Sequence, residues 1–91
     1  MRFDWDDKKY AINRRKHGID FGTASLVFDD PLHLLTLDRV VDGEQRWRTI
    51  GMAAGVMLLV VVHTLEDDEV VRIISARKAE AHERRRYEYD L

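Results

Sequence analysis

Cysteine is absent from the 91 residues. That excludes disulfide staples, thiolate zinc sites and cysteine nucleophiles, and it suits a reducing compartment. Proline occurs once, at Pro31, so no proline-rich linker divides the chain. The glycines never cluster, and no phosphate-cradling loop, Walker motif or Gly-x-Ser-x-Gly elbow is present. The longest apolar run, Val56 to Val62, is far too short to span a bilayer as a helix. The opening MRFDWDDKKY is charged from the start, unlike a signal peptide. These absences point to one soluble, cytoplasmic domain over residues 1–91, with no membrane contact. The four histidines show no metal-ligand spacing, so no metal and no cofactor is expected.

A large net charge is also missing. The formal total is −2, whereas a protein that binds nucleic acid by charge alone is usually basic. The distribution is uneven, however. Glu66, Asp67, Asp68 and Glu69 form one acidic block, while residues 77–86 hold five Lys or Arg against two Glu.

What is present suits a small core, since 45% of the residues are hydrophobic. Phe3 to Trp5 reads as a short extended start. Asp6 or Asp7 caps a helix to about Lys16, with acids first and bases last, and Gly18 ends it. Asp20 caps a second helix with Phe21, Ala24, Val27 and Phe28 on one face, stopped by Asp29-Asp30-Pro31. Strands are predicted at Leu32–Val41, Glu44–Gly51, Val56–Thr64 and Val70–Ser75, and a last helix from about Lys78 to Tyr89. The class is α+β: two N-terminal helices on an antiparallel four-stranded meander, with room for a short N-terminal strand, plus a C-terminal helix.

The turns predict registers. Asp42-Gly43 as a two-residue hairpin sets Val41 opposite Glu44, Arg39 opposite Arg46 and Leu37 opposite Arg48. A four-residue turn at Met52–Gly55 sets Gly51 opposite Val56, with Arg46 beside Val61 and Glu44 beside His63. A four-residue turn at Glu66–Glu69 sets Leu65 opposite Val70 and His63 beside Arg72. One face then gathers Thr49, Trp47, Leu58, Val60, Val62, Val71 and Ile73 for the first two helices. The other gathers Arg39, Glu44, Arg46, Arg48, Leu59, Val61, His63, Arg72 and Ile74 in a partly charged cleft.

An arginine inside an apolar strand needs a partner, and Arg72 is such a residue. Arg39, Arg46, Arg48 and Arg72 read either as a surface salt-bridge network or as a phosphate cradle, since guanidinium binds phosphate bidentately. His63 is the proton carrier this register would favour, and a satisfied structural histidine is the bland alternative. His17 stands where a cation suits a helix end. Tyr87 reads as a packing residue or a base-stacking one, and Arg84 to Arg86 as a solvated basic face.

Taken in order, Phe3-Asp4-Trp5-Asp6, Lys9, Asn13, Lys16-His17-Gly18, Phe21, Phe28, Gly43-Glu44, Arg46, Gly51, Arg72-Ile73-Ile74-Ser75-Ala76-Arg77, Glu83 and Arg86-Tyr87 resemble the BrnT toxins of type II toxin–antitoxin systems. The resemblance implies a RelE-like fold and a metal-independent endoribonuclease that inhibits growth. It implies neutralisation by a BrnA-like ribbon-helix-helix antitoxin, through which alone the pair would bind operator DNA. In such nucleases the RNA 2′-hydroxyl attacks the adjacent phosphate, helped by a base, an acid and arginines. On this chain Arg46, Arg72 and Arg77 are the expected phosphate binders and His63 or Glu44 the base. His63, Lys16 or His17 is the expected proton donor. Lys16, His17, Arg48, Arg84 and Tyr87 are the expected RNA contacts. The alternative is a catalytically inactive module that binds an antitoxin and tunes its operator binding.

Overall fold

A computed structural model describes residues 1–66 and 69–89. The chain runs β1 (Arg2–Trp5), α1 (Asp7–His17), α2 (Phe21–Ser25), a 3₁₀ turn (Leu26–Asp29), β2 (Leu34–Val41), β3 (Glu44–Ala53), β4 (Met57–His63), β5 (Val70–Lys78) and α3 (Ala81–Tyr89). The class is α+β. Five strands form one sheet in the order β1-β5-β4-β3-β2. In detail this differs from a four-stranded sheet under two helices. β1 is an integral member, paired in parallel with β5, and the second helix is one short α segment running into a 3₁₀ turn.

Local chemistry sets the helix ends. The Asp6 carboxylate accepts from the Lys9 N–H at 3.2 Å, and Gly18 takes the left-handed conformation at φ 71° that closes α1. Asp20 caps α2 by accepting from the Gly22 N–H at 2.6 Å. Asp7 opens α1, and Arg14 to His17 end it, complementing the helix dipole.

The sheet has a core on each face. Leu59, Val61, Val71, Ile73 and Ala76 pack under Phe21, Ala24 and Val27. On the opposite face Ile50, Leu58 and Val60 pack beneath Tyr87 of α3. The 3₁₀ turn presses directly on β3: a Cβ added at Gly51 would lie 3.0 Å from the Val27 carbonyl oxygen.

The Asp42-Gly43 hairpin pairs Val41 with Glu44 and Arg39 with Arg46, both residues of the turn having positive φ. Other predicted registers are corrected. A bulge at Asp38 sets Leu37 opposite Trp47 instead of Arg48. β3 continues to Ala53, and the chain reverses at Ala54 and Gly55, with φ of 54° and 70°. Gly51 therefore pairs with Leu59, not Val56, and Trp47 rather than Glu44 stands opposite His63. This register differs from the predicted one by an odd number of residues, so every β4 side chain changes face. Leu59, Val61 and His63 go under the N-terminal helices, and Leu58 and Val60 go under α3. A further bulge at Ile74 pairs His63 with Ile73, so His63 does not lie beside Arg72. The predicted turn at Glu66–Glu69 includes Asp67 and Asp68, which lie outside the described residues.

Candidate functional site

β1 ends where Trp5 pairs with Ile73, and the chain then leaves the sheet as α1. Beyond that point β5 is an edge strand. Against this edge α1 presents Lys9, Ile12, Asn13, Lys16 and His17, spaced by three and four residues and hence on one helix face. With Ile74, Ser75 and Arg77 of β5 they line a groove of about 300 Å³. None of the lining residues is acidic. Among the described residues neither Lys9 nor Lys16 lies within ion-pair distance of a carboxylate.

Arg77 is the fixed cation of the groove. Its two terminal nitrogens donate to the two carboxylate oxygens of Glu83 at 2.7 and 2.8 Å. The buried Glu83 also accepts from the Glu80 N–H at 2.8 Å, at the start of α3. Its bond to Arg77 pulls the Glu83 carboxyl down to about 2, against the opposing effect of burial. The same bond raises Arg77 above its ordinary value.

The structure thus brings Lys16, His17 and Arg77 together and leaves the other expected site residues elsewhere. Arg46, Arg48 and Arg72 lie on the sheet face opposite α1; Arg77 issues from that face too, opposite Val60, but at the β5 edge where it lines the groove. Arg48 donates to Asp38 at 2.7 Å. Arg72 is exposed, with Asp4 and Glu66 each at 3.7 Å. Glu44 stands 3.7 Å from the Arg46 Nε, which has no hydrogen-bond partner among the described residues. The Thr64 N–H donates to the Arg72 carbonyl at 3.0 Å, so Thr64 separates the Arg46 and Arg72 positions across the sheet. At about 4.8 Å per strand this puts those two positions roughly 10 Å apart.

His63 is wholly buried under the 3₁₀ turn, its ring edge-on to Phe28 at 4.9 Å. The Thr64 carbonyl, 2.9 Å from Nδ1, can only accept, so Nδ1 carries the proton. Nε2 then accepts from the Thr49 hydroxyl at 2.7 Å. Burial holds the imidazole below its usual range. A neutral ring with both nitrogens engaged has neither the access nor a spare lone pair to accept a proton from substrate. The cleft expected around His63, Glu44, Arg46 and Arg72 is therefore not formed, because β4 has the opposite face and β5 carries a bulge.

Tyr87 is buried as well, and its hydroxyl donates to Asp30 at 2.6 Å. Burial first and this bond second push the phenol up to about 12. Burial alone would raise the Asp30 carboxyl, but donation from the Met52 N–H, the Tyr87 hydroxyl and the Leu32 N–H holds it below its ordinary value. Tyr87 is thus the anchor of α3, and its ring is not open to a base. Arg84 is exposed on the same helix, 3.6 Å from Glu88.

Lys9, Asn13 and Ser75 were not among the expected site residues, although they line the groove. Their signal was available: α1 has no apolar stripe, and its groove-lining positions are polar or charged except for Ile12.

Residues 5–83 match the family described as ribonuclease toxin, BrnT, of type II toxin-antitoxin system. The chain belongs to this family of toxins. A solved structure, the 1.1 Å crystal structure of the ribonuclease toxin BrnT of Brucella abortus, shares the fold with a TM-score of 0.64 at 24% identity. The match covers 88% of this chain and 97% of that one. Comparison with curated protein sequences returns no match. No helix among the described residues is long and apolar enough to cross a membrane.

Proposed function

We propose that the groove between α1 and the β5 edge is the active centre of a metal-independent endoribonuclease. The observation that carries this is the meeting of Lys9, Lys16, His17 and Arg77 around a groove whose lining holds no acid. Such a site draws in a phosphodiester and neutralises the charge that grows on its non-bridging oxygens during attack. The 2′-hydroxyl attacks the phosphorus, the P–O5′ bond breaks, and a cyclic phosphate and a free 5′-hydroxyl result. Imidazole suits proton transfer near neutral pH, so His17 is assigned that role, with Lys16 as the alternative donor to the leaving oxygen. Arg77, oriented by Glu83, and Lys9 hold the phosphate. Arg46, Arg48 and Arg72, across the sheet, serve as outer contacts and not in the chemistry.

The rest of the reading draws on family membership. The protein inhibits growth in the cytoplasm, is neutralised by a BrnA-like ribbon-helix-helix antitoxin, and reaches operator DNA only through it. Helices layered on a mainly antiparallel sheet support a RelE-like relationship. One observation favours the alternative of a catalytically silent binding module: both terminal nitrogens of Arg77 are already taken by Glu83.

The test is to induce the protein alone in bacteria and follow growth and total mRNA, beside His17→Ala and Arg72→Ala. Arrested growth and degraded mRNA, relieved by His17→Ala and kept by Arg72→Ala, are expected. Normal growth with intact mRNA, from abundant folded protein, would leave only the binding module.

A further inference from the structure

We propose that Asn13 is a positioning residue of this groove, acting as a one-residue substitute for a missing strand. The inference rests on the ribonuclease reading above. Because β1 ends opposite Ile73, the backbone of Ala76 faces an open sheet edge. Asn13 fills it. Its Nδ2 donates to the Ala76 carbonyl at 2.9 Å, and its Oδ1 accepts from the Ala76 N–H at 3.1 Å. These are the two bonds that the peptide groups of an adjoining strand would supply. Both are buried, and Asn13 is the one buried residue of α1.

The position of Asn13 along the helix gives the clamp its consequence. Lys9 lies one turn before it, and Lys16 and His17 lie one turn after it on the same face. The helix is held to the core at its other flank, by Tyr10 against Trp5 and Phe21 and by the buried Ile19 that follows Gly18. Those contacts tie α1 to β1 and α2. The Asn13 carboxamide ties it directly to β5, and it thereby sets Lys9, Lys16 and His17 against Arg77. A carboxamide is the fitting group, since it offers one donor and one acceptor in a plane with no charge to desolvate. Displacements near 1 Å in a catalytic constellation have large kinetic effects, so the clamp is expected to appear in turnover more than in binding.

Wild type, Asn13→Ala and Asn13→Gln are to be compared on a fluorescent RNA for kcat and KM. Binding of a 2′-O-methyl oligonucleotide that cannot be cleaved and hydrogen exchange at the Ala76 amide complete the set. In Asn13→Ala, kcat should fall at least about tenfold, while KM and the Kd of the inert oligonucleotide stay within about threefold. The Ala76 amide should be protected in wild type, although its strand is an edge, and should exchange freely in Asn13→Ala. Asn13→Gln should keep that protection and still lose turnover, because its extra methylene moves the helix. It also serves if Asn13→Ala does not fold. Undiminished kcat in either folded variant, or a wild-type Ala76 amide that exchanges like open backbone, overturns the proposal. A wild type that cleaves no RNA overturns the ribonuclease reading itself, and with it the positioning role, whatever the Ala76 amide shows.

Discussion

Arg72 and Arg77 stand on one strand in different surroundings. Arg72 is exposed on the face opposite α1, loosely flanked by Asp4 and Glu66. Its neighbours Arg46 and Arg48 likewise have Glu44 and Asp38 beside them. Cation and carboxylate alternate there, and the face is close to neutral. Arg77 is paired bidentately with Glu83 and has Glu80 at 3.7 Å, and beyond them lie Lys9 and Lys16 with no carboxylate in the groove lining. The difference is one of local pairing, which a count of arginines does not show. What distinguishes the groove is that, among the described residues, Lys9 and Lys16 have no carboxylate within ion-pair distance, beside an Arg77 whose geometry is fixed.

The comparison can be broken or sharpened by substitution. The largest effect is expected from His63→Ala. It removes a buried ring and leaves the Thr49 hydroxyl and Thr64 carbonyl without partners, and should cost about 3 kcal/mol of stability in chemical denaturation. A His63→Ala variant that keeps its stability yet loses cleavage would return catalysis to the sheet. His17→Ala should lower cleavage by about 100-fold, or about 2.7 kcal/mol of barrier, with the melting temperature nearly unchanged. An unaltered rate would remove His17 from the chemistry.

Glu83→Gln should cost about 2 kcal/mol, because Arg77 loses a charged acceptor in a partly buried site. It also carries a pH signature. The Glu83 carboxyl lies at about 2 in the fold against an ordinary 4.5, so its stabilisation is whole above pH 4.5 and is lost as the pH falls toward about 2. Acid titration of stability should show this limb in wild type and a weaker one in the variant. Tyr87→Phe should cost about 1 kcal/mol for the lost bond to Asp30. Since the folded phenol lies at about 12 against an ordinary 10.0, the fold binds the extra proton, and stability should decline between those pH values in wild type only. The smallest effect belongs to Arg72→Ala, with about 0.5 kcal/mol or less in stability and cleavage within about threefold. A large loss of cleavage there would move the phosphate site away from the α1 groove.

How much was legible in the chain depends on the range of the interactions concerned. Asp6, Gly18, Asp20 and the Asp42-Gly43 turn announce their roles because each acts on backbone within a few residues. The helix ends, the first hairpin and the α+β class follow from them together with apolar periodicity. Family membership was legible too, from short pieces spread over nearly the whole chain. The faces of β4 were not. They depend on whether the chain turns at Met52 or at Ala54, a choice set by how β3 and β4 pack against helices far away in sequence. One odd step in register reverses a strand, so the same uncertainty decided whether His63 met substrate or core.

The composition of this chain, with no cysteine and with short capped helices and hairpins, determined the kind of fold and the family. Tertiary structure alone decided that β1 stops short, that the β5 edge stands open, and that Asn13 closes it with the basic stripe of α1 alongside. Local bonds are written in neighbouring residues. A groove between a helix and a strand edge exists only after long-range packing has chosen among registers that differ by a single residue.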